Sequence, residues 1–149
     1  MIEPASSNDA APCAAILRQW ISENPWFPNR APNSASEQAM RERIETGTVF
    51  VAQKDGETIG FIAFEKGYLD CLYLMQAARN TGLGTRLLAR AKSLSPEGLG
   101  LWVLERNEAA RRFYAREGFI EVARGDGSDN EEGLPDIRME WSRKEAQNA

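Results

Sequence analysis

The chain has 149 residues, 42% apolar and 27% charged, the size and balance of one globular domain with its own core. A total of 18 Lys and Arg against 22 Asp and Glu leaves a net charge of −4, which argues against non-specific binding of nucleic acid. There is no histidine and there are 2 cysteines. The missing histidine removes serine–histidine and cysteine–histidine triads and histidine-held zinc, and Cys13 and Cys71 are too far apart in sequence to form a Cys-x-x-Cys pair.

Residues 1–7 show neither a basic stretch nor an apolar run, so no signal peptide is expected. No uncharged apolar run approaches the ~20 residues of a membrane span. Asn8 or Asp9 is placed to cap a first helix, in which Cys13, Ile16, Leu17, Trp20 and Ile21 share a face. Residues 22–33 carry three prolines and read as a loop. Ser34 with Glu37 fits a capping box for a short helix that turns Met40 and Ile44 inward and stops at Gly47. Two β-rich runs, 48–53 and 58–64, flank Asp55-Gly56, a hairpin signal. Residues 68–74 read as a third strand. A helix follows, with Leu83, Leu87, Leu88, Ala91 and Leu94 on one face, closed by Pro96 and Gly98.

Residues 99–104 read as a strand buried on both faces. Asn107 caps another helix, where Ala110, Phe113, Tyr114 and Glu117 line up and which Gly118 ends. Residues 119–123 and 137–141 alternate apolar and polar, as half-buried strands do, and an acidic loop joins them. The tail 142–149 is polar and expected to fray. The element order predicts an α/β fold over residues 1–149. Its mixed central sheet has an antiparallel first half and a right-handed parallel β-α-β crossover over 68–104, with helices on both faces. Cys13 and Cys71 stand among apolar neighbours and read as reduced core thiols, which fits a cytoplasmic location.

The stretch Arg79-Asn80-Thr81-Gly82-Leu83-Gly84 lies between a strand and a helix. Such a turn gathers backbone N–H groups at one spot, and the helix dipole adds about half a positive charge there. Gly82 and Gly84 would let phosphate oxygens approach the backbone, and Arg79 could add a charge-assisted contact. A P-loop is excluded because no Gly-Lys-Ser/Thr is present. The dinucleotide fingerprint fails because Leu87 stands at its third glycine. The turn alone therefore fits either phosphate binding or tight strand-to-helix packing.

A second element joins it: Asn107-Glu108-Ala109-Ala110-Arg111-Arg112-Phe113-Tyr114, then Gly118-Phe119. Together with the R-x-x-G-x-G turn, this N-x-x-A-x-x-F-Y-x-x-x-G-F pattern resembles the GNAT superfamily of acyl-CoA-dependent N-acetyltransferases. The resemblance is tight over 68–119 and looser outside, though the element order agrees throughout. It implies acetyl transfer from acetyl-CoA to a primary amine, by direct attack within a ternary complex. It further implies that the backbone of Arg79, Asn80, Thr81, Gly82, Leu83, Gly84 and Thr85 holds the CoA pyrophosphate. The backbone of Leu72 and Leu74 would pair with the pantetheine arm, Asn107 would contact the cofactor, and Tyr114 would protonate the leaving thiolate. Family members typically splay their two central strands to admit the cofactor and are often homodimeric. Two departures stand out: Asn80 occupies a frequent glycine position and Gln76 a frequent proline position.

An amine of pKa ~10.4 must lose a proton before it can attack a thioester. Without histidine, the candidate bases are Asp70, Glu65 or a water ordered by Tyr68, and Asp70 reads first as a structural acceptor. By spacing alone Tyr114 is a core aromatic; the resemblance makes it an acid. Cys71 has nothing nearby in sequence to lower its pKa and reads as core, not nucleophile. For the acceptor, the resemblance points to Trp26, Phe27 and Arg30 in the Pro-rich loop, although by composition Trp26 and Phe27 fit the edge of the core equally well; Tyr68, on the strand face of Asp70, completes the substrate set. Asp126, Asp129, Glu131, Glu132 and Asp136 form either a solvated loop or an attractor for a cationic amine. The loop lacks EF-hand spacing, and no metal is expected. The competing class is a non-catalytic acyl-CoA-binding module, which would need the turn but not Tyr114.

Overall fold

A computed structural model describes residues 1–28, 36–130 and 132–143. The described residues form seven strands and four α-helices. In chain order these are β1 (Ile2–Pro4), α1 (Ala10–Glu23), α2 (Glu37–Thr46), β2 (Thr48–Lys54), β3 (Glu57–Glu65), β4 (Tyr68–Leu74), α3 (Leu83–Ser93), β5 (Leu99–Leu104), α4 (Glu108–Arg116), β6 (Ile120–Gly125) and β7 (Asp136–Trp141). Among them no helix is long and apolar enough to cross a membrane. The chain divides into two compact units.

The first unit comprises Met1–Glu65 and Leu69–Ala91. Here β1 pairs antiparallel with β2, and β2 antiparallel with β3, with a bulge between Ala52 and Gln53. Asp55 (φ 54°) and Gly56 (φ 78°) both take left-handed backbone, as a two-residue hairpin turn of right-handed twist requires. β4 lies beside β3. The three-residue β1 is an addition to the sequence reading. It is too short for a period-two pattern and ends in a proline, which an edge strand tolerates. One face of these strands buries Val49, Val51, Phe61, Ala63 and Cys71 against Ala10, Cys13, Ala14 and Ile16 of α1 and Met40 of α2. The alternate residues Phe50, Ile62 and Phe64 are buried too, and Arg90 of α3 lies over the Phe50 ring at 5.2 Å. Two helix ends depart from expectation. Asp9 makes no side-chain cap to α1; a 3₁₀ turn precedes the helix, and its carboxylate accepts the Ser6 N–H at 2.8 Å. The cap of α2 is Ser36, whose Oγ accepts the Ala39 N–H at 3.1 Å, while Ser34 lies outside the described residues. In α3, Leu83, Leu87, Leu88 and Ala91 are buried as expected. Leu94 is 53% exposed because the helix has already ended at Ser93.

The second unit comprises Lys66–Tyr68 and the chain from Lys92 onward. Tyr68, the first residue of β4, pairs in parallel with Gly100 of β5. β7 then pairs antiparallel with both β5 and β6, so the expected mixture of parallel and antiparallel strands is present. Leu99, Leu101, Val103, Tyr114, Phe119, Ile137, Met139 and Trp141 are buried. Lys92 closes one end: its Nζ donates to the Glu117 carbonyl at 2.7 Å and lies 5.0 Å from the Trp141 ring. Two expectations fail here. β5 is not buried on both faces, because Trp102 is 44% exposed on a side where its cross-strand partner is the polar Arg138. β6 is not half-buried: Phe119 goes inside just before it, while Ile120 and Val122 stay exposed on a bulged edge strand.

Candidate active site

In the first unit, β4 runs into a 3₁₀ turn at Gln76–Ala78, and α3 starts at Leu83. Between them Asn80 (φ 60°) and Gly82 (φ 86°) both adopt left-handed backbone. Asn is the side chain that best tolerates this region, so the departure at position 80 leaves the turn intact. The Thr81 hydroxyl donates to the Ala78 carbonyl at 2.6 Å and fixes the bend. Arg86 N–H to Gly82 carbonyl, at 3.1 Å, starts the helical ladder, so the amides before it lie ahead of the ladder at the positive end of α3. A Cβ built on Gly82 would meet nothing within 4 Å: its φ demands glycine, and the space beside it is open.

Arg79 is not held out toward that space alone. Its guanidinium pairs with Glu23 of α1 at 2.7 Å and reaches the Leu74 carbonyl at 3.3 Å. It ties the turn to the end of α1. Leu72 and Leu74 are half-buried on β4. Gly60 of β3 makes room for Leu74: a Cβ there would meet Leu74 Cδ2 at 2.6 Å. Sequence reasoning passed over Gly60, although a glycine inside an apolar strand signals close approach. Asp70 is exposed and paired with Arg43 of α2 at 2.6 Å, the structural-acceptor role. Glu65 is exposed at the end of β3. Burial pushes the thiols of Cys13 and Cys71 up to about 12, so both are inert core groups. Trp26 and Phe27 are half-buried against Trp20, at ring distances of 5.9 and 5.3 Å, and Trp20 meets Tyr73 of β4 at 5.4 Å. Arg30 lies outside the described residues.

In the second unit, Asn107 caps α4, its Oδ1 accepting the Ala110 N–H at 3.2 Å. Tyr114 is buried between Phe113 and Phe119, with ring centroids at 5.2 and 5.4 Å. Gly118 (φ 97°) turns the chain so that the Phe119 N–H bonds the Tyr114 carbonyl at 2.9 Å. Tyr68 is 37% exposed. In the acidic loop, Asp126 accepts the Ser128 N–H at 2.9 Å, and Asn130 donates to Asp136 at 3.1 Å. Two of its carboxylates thus serve the loop's own shape, while Glu131 lies outside the described residues.

The family model for the acetyltransferase (GNAT) domain matches residues 21–143. The chain belongs to the GNAT acetyltransferase family. This GNAT protein is an acetyl-CoA-dependent enzyme that moves an acetyl group to an amine. It is 28% identical over 116 residues to the peptidyl-lysine N-acetyltransferase YjaB of Salmonella typhimurium, covering 77% of this chain and 79% of that one. It is 26% identical over 136 residues to the uncharacterized N-acetyltransferase YhfO of Bacillus subtilis, covering 80% and 89%. The solution structure of apo-form YjaB from Escherichia coli shares the GNAT fold, at a TM-score of 0.78, 22% identity, and coverage of 95% and 96%. A putative streptothricin acetyltransferase from Bacillus anthracis, in complex with acetyl coenzyme A, superposes at a TM-score of 0.59 over 64% of this chain and 62% of that one, with 24% identity.

Proposed function

We propose that the backbone from Arg79 to Thr85 holds the CoA pyrophosphate, and that Leu72 and Leu74 pair with the pantetheine arm through their backbones. The observation that carries this reading is the turn. Two left-handed residues open it, no atom crowds Gly82, and the N-terminal amides of α3 follow directly. Arg79 acts by holding the turn to Glu23 rather than as the principal phosphate ligand. Asn107 orders the start of α4 and contacts the cofactor through its side-chain amide.

The acceptor is a primary amine, and attack is direct. Acetyl-CoA supplies the thioester; the new C–N bond forms as the C–S bond breaks. The amine proton leaves to water, and Tyr114 protonates the thiolate. No acyl-enzyme forms, in keeping with two thiols held protonated by burial. Asp70 is a positioning residue, because its carboxylate is committed to Arg43. Trp26, Phe27 and Tyr68 border the acceptor. The similarity to a peptidyl-lysine N-acetyltransferase supports a lysine-type amine as the reacting group.

Calorimetric titration of acetyl-CoA into the wild type and a Gly82→Trp variant tests the cofactor site. Micromolar binding lost in the variant is the expected outcome. No binding to the wild type would make the turn purely structural and remove the proposal.

A further inference from the structure

In the first unit, the glycine turn holds less free charge than its sequence suggests. Arg79 is the one charged side chain in residues 76–85. Its guanidinium is balanced by Glu23 at 2.7 Å and spends further donors on the Leu74 carbonyl at 3.3 and 3.4 Å. The turn therefore offers backbone amides and the positive end of α3, which suit a pyrophosphate, but little unbalanced side-chain charge. Acetyl-CoA carries a further anionic group, the 3′-phosphate on the ribose next to its pyrophosphate.

The next cation along the chain is Arg86, at the start of α3. Its N–H bonds the Gly82 carbonyl at 3.1 Å, so its backbone stands one helical turn from Gly82 and the open space there. Side chains on a helix lean toward its N-terminus and cover the turn of backbone before them, which carries Arg86 toward the glycine turn. Arg86 is exposed, and among the described residues its guanidinium has no ion-pair or hydrogen-bond partner. Local electrostatics do not account for an arginine there. The first turn of a helix favours acids, and α3 has none in that turn to balance the charge. Arg90 follows at i+4, where a like charge is mildly destabilising. Arg90 itself is seated over the Phe50 ring, 5.2 Å from the centroid. An unbalanced guanidinium beside an open turn is explained by an anion that arrives with the ligand.

We propose that Arg86 binds the 3′-phosphate of acetyl-CoA, and so makes this enzyme select the phosphorylated cosubstrate over its 3′-dephospho form. This rests on the turn being the pyrophosphate site and adds a specificity-determining residue to it. Calorimetry compares CoA with 3′-dephospho-CoA on the wild type, Arg86→Gln, Arg86→Lys and Arg90→Gln, beside a thermal melt of each.

The wild type is expected to bind CoA roughly 5- to 20-fold more tightly than 3′-dephospho-CoA, the range of a charge-assisted contact at an exposed site, and the ratio shrinks as salt is added. In Arg86→Gln the ratio falls to within about 2-fold of one, while Tm and the affinity for 3′-dephospho-CoA hold. Arg86→Lys keeps most of the ratio, because a lysine serves a phosphate as a point charge. Arg90→Gln leaves it in place. In turnover, Arg86→Gln raises the KM for acetyl-CoA and leaves kcat alone, since the 3′-phosphate takes no part in the transfer. Equal affinity of the wild type for the two ligands would overturn the proposal, as would a ratio that survives in Arg86→Gln or is lost in Arg90→Gln alone. Failure of the underlying reading looks different: neither ligand binds, or Gly82→Trp binds both as the wild type does.

Discussion

Replacing Tyr114 by phenylalanine separates its ring from its hydroxyl. The ring packs against Phe113 and Phe119 at 5.2 and 5.4 Å and is nearly sealed from solvent. Phenylalanine keeps both contacts, each worth about 0.5–1.5 kcal/mol beyond area burial. The loss is the hydroxyl, about 0.5–1.5 kcal/mol. For a chain of this size that lowers Tm by only about 2–6 °C. A general acid contributes roughly 10²- to 10⁴-fold to rate. A thiolate of pKa ~8.5 is already a fair leaving group, so the expected fall in kcat is near the lower end, about 10²-fold, and narrows as pH rises past ~8.5. The assay is initial-rate thiol release at saturating acetyl-CoA and amine across that pH range, beside a thermal melt. A variant with kcat within about 3-fold of wild type at pH 7 would refute the assignment and leave Tyr114 a packing residue. Tyr114→Ala cannot make the distinction, because losing the ring costs about 3–5 kcal/mol of stability.

Asp70→Asn is expected to cost ~1 kcal/mol or less in chemical denaturation, as for a half-exposed ion pair, and to leave the shape of the pH–rate profile intact. Loss of the ascending limb of that profile would instead make Asp70 the base. Gly60→Ala drives a Cβ into Leu74 and the Tyr73 carbonyl, and a denaturant titration should show a loss of about 1–3 kcal/mol. The two thiols are raised by burial to about 12, from 9.0 when unperturbed, so the folded state keeps protons that the unfolded chain releases. Their contribution to stability is full below pH ~9 and declines as pH rises toward about 12, so Tm should drop through that window. A Cys13→Ala, Cys71→Ala variant should show a shallower alkaline decline, and an equal slope would discard this account. Native protein should also resist a thiol-labelling reagent at pH 8 until it is unfolded.

Local signals carried most of the architecture. Asp55-Gly56 required left-handed backbone at both positions, and the hairpin formed around it. Asn107 and Gly118 bracket α4 as cap and stop, and Leu83, Leu87, Leu88 and Ala91 face inward at helical spacing. What could not be read locally depends on partners distant in the chain. Arg79 meets Glu23 across 56 positions and Arg43 meets Asp70 across 27, so no window of sequence shows that both charges are spoken for. Trp102 sits in an apolar run that reads as buried, yet it is exposed, on a side where its cross-strand partner is the polar Arg138, 36 positions further along the chain. β6 reads as alternating, but a bulge and its edge position leave every residue near the surface. The glycine turn was legible in position and shape. The open space beside Gly82, on which the proposed phosphate site rests, is displayed only by the folded chain.

The most direct test of the central claim is amine-dependent cleavage of acetyl-CoA by the purified protein, read as free thiol and, by mass spectrometry, as acetylated product. Direct transfer in a ternary complex yields thiol and acetyl-amine in one-to-one ratio with no acetylated protein intermediate, and both are lost in Gly82→Trp. Acetyl-CoA bound without thiol release to any amine would contradict it and leave a binding module. An acetyl group trapped on Cys71 would contradict the direct-attack mechanism.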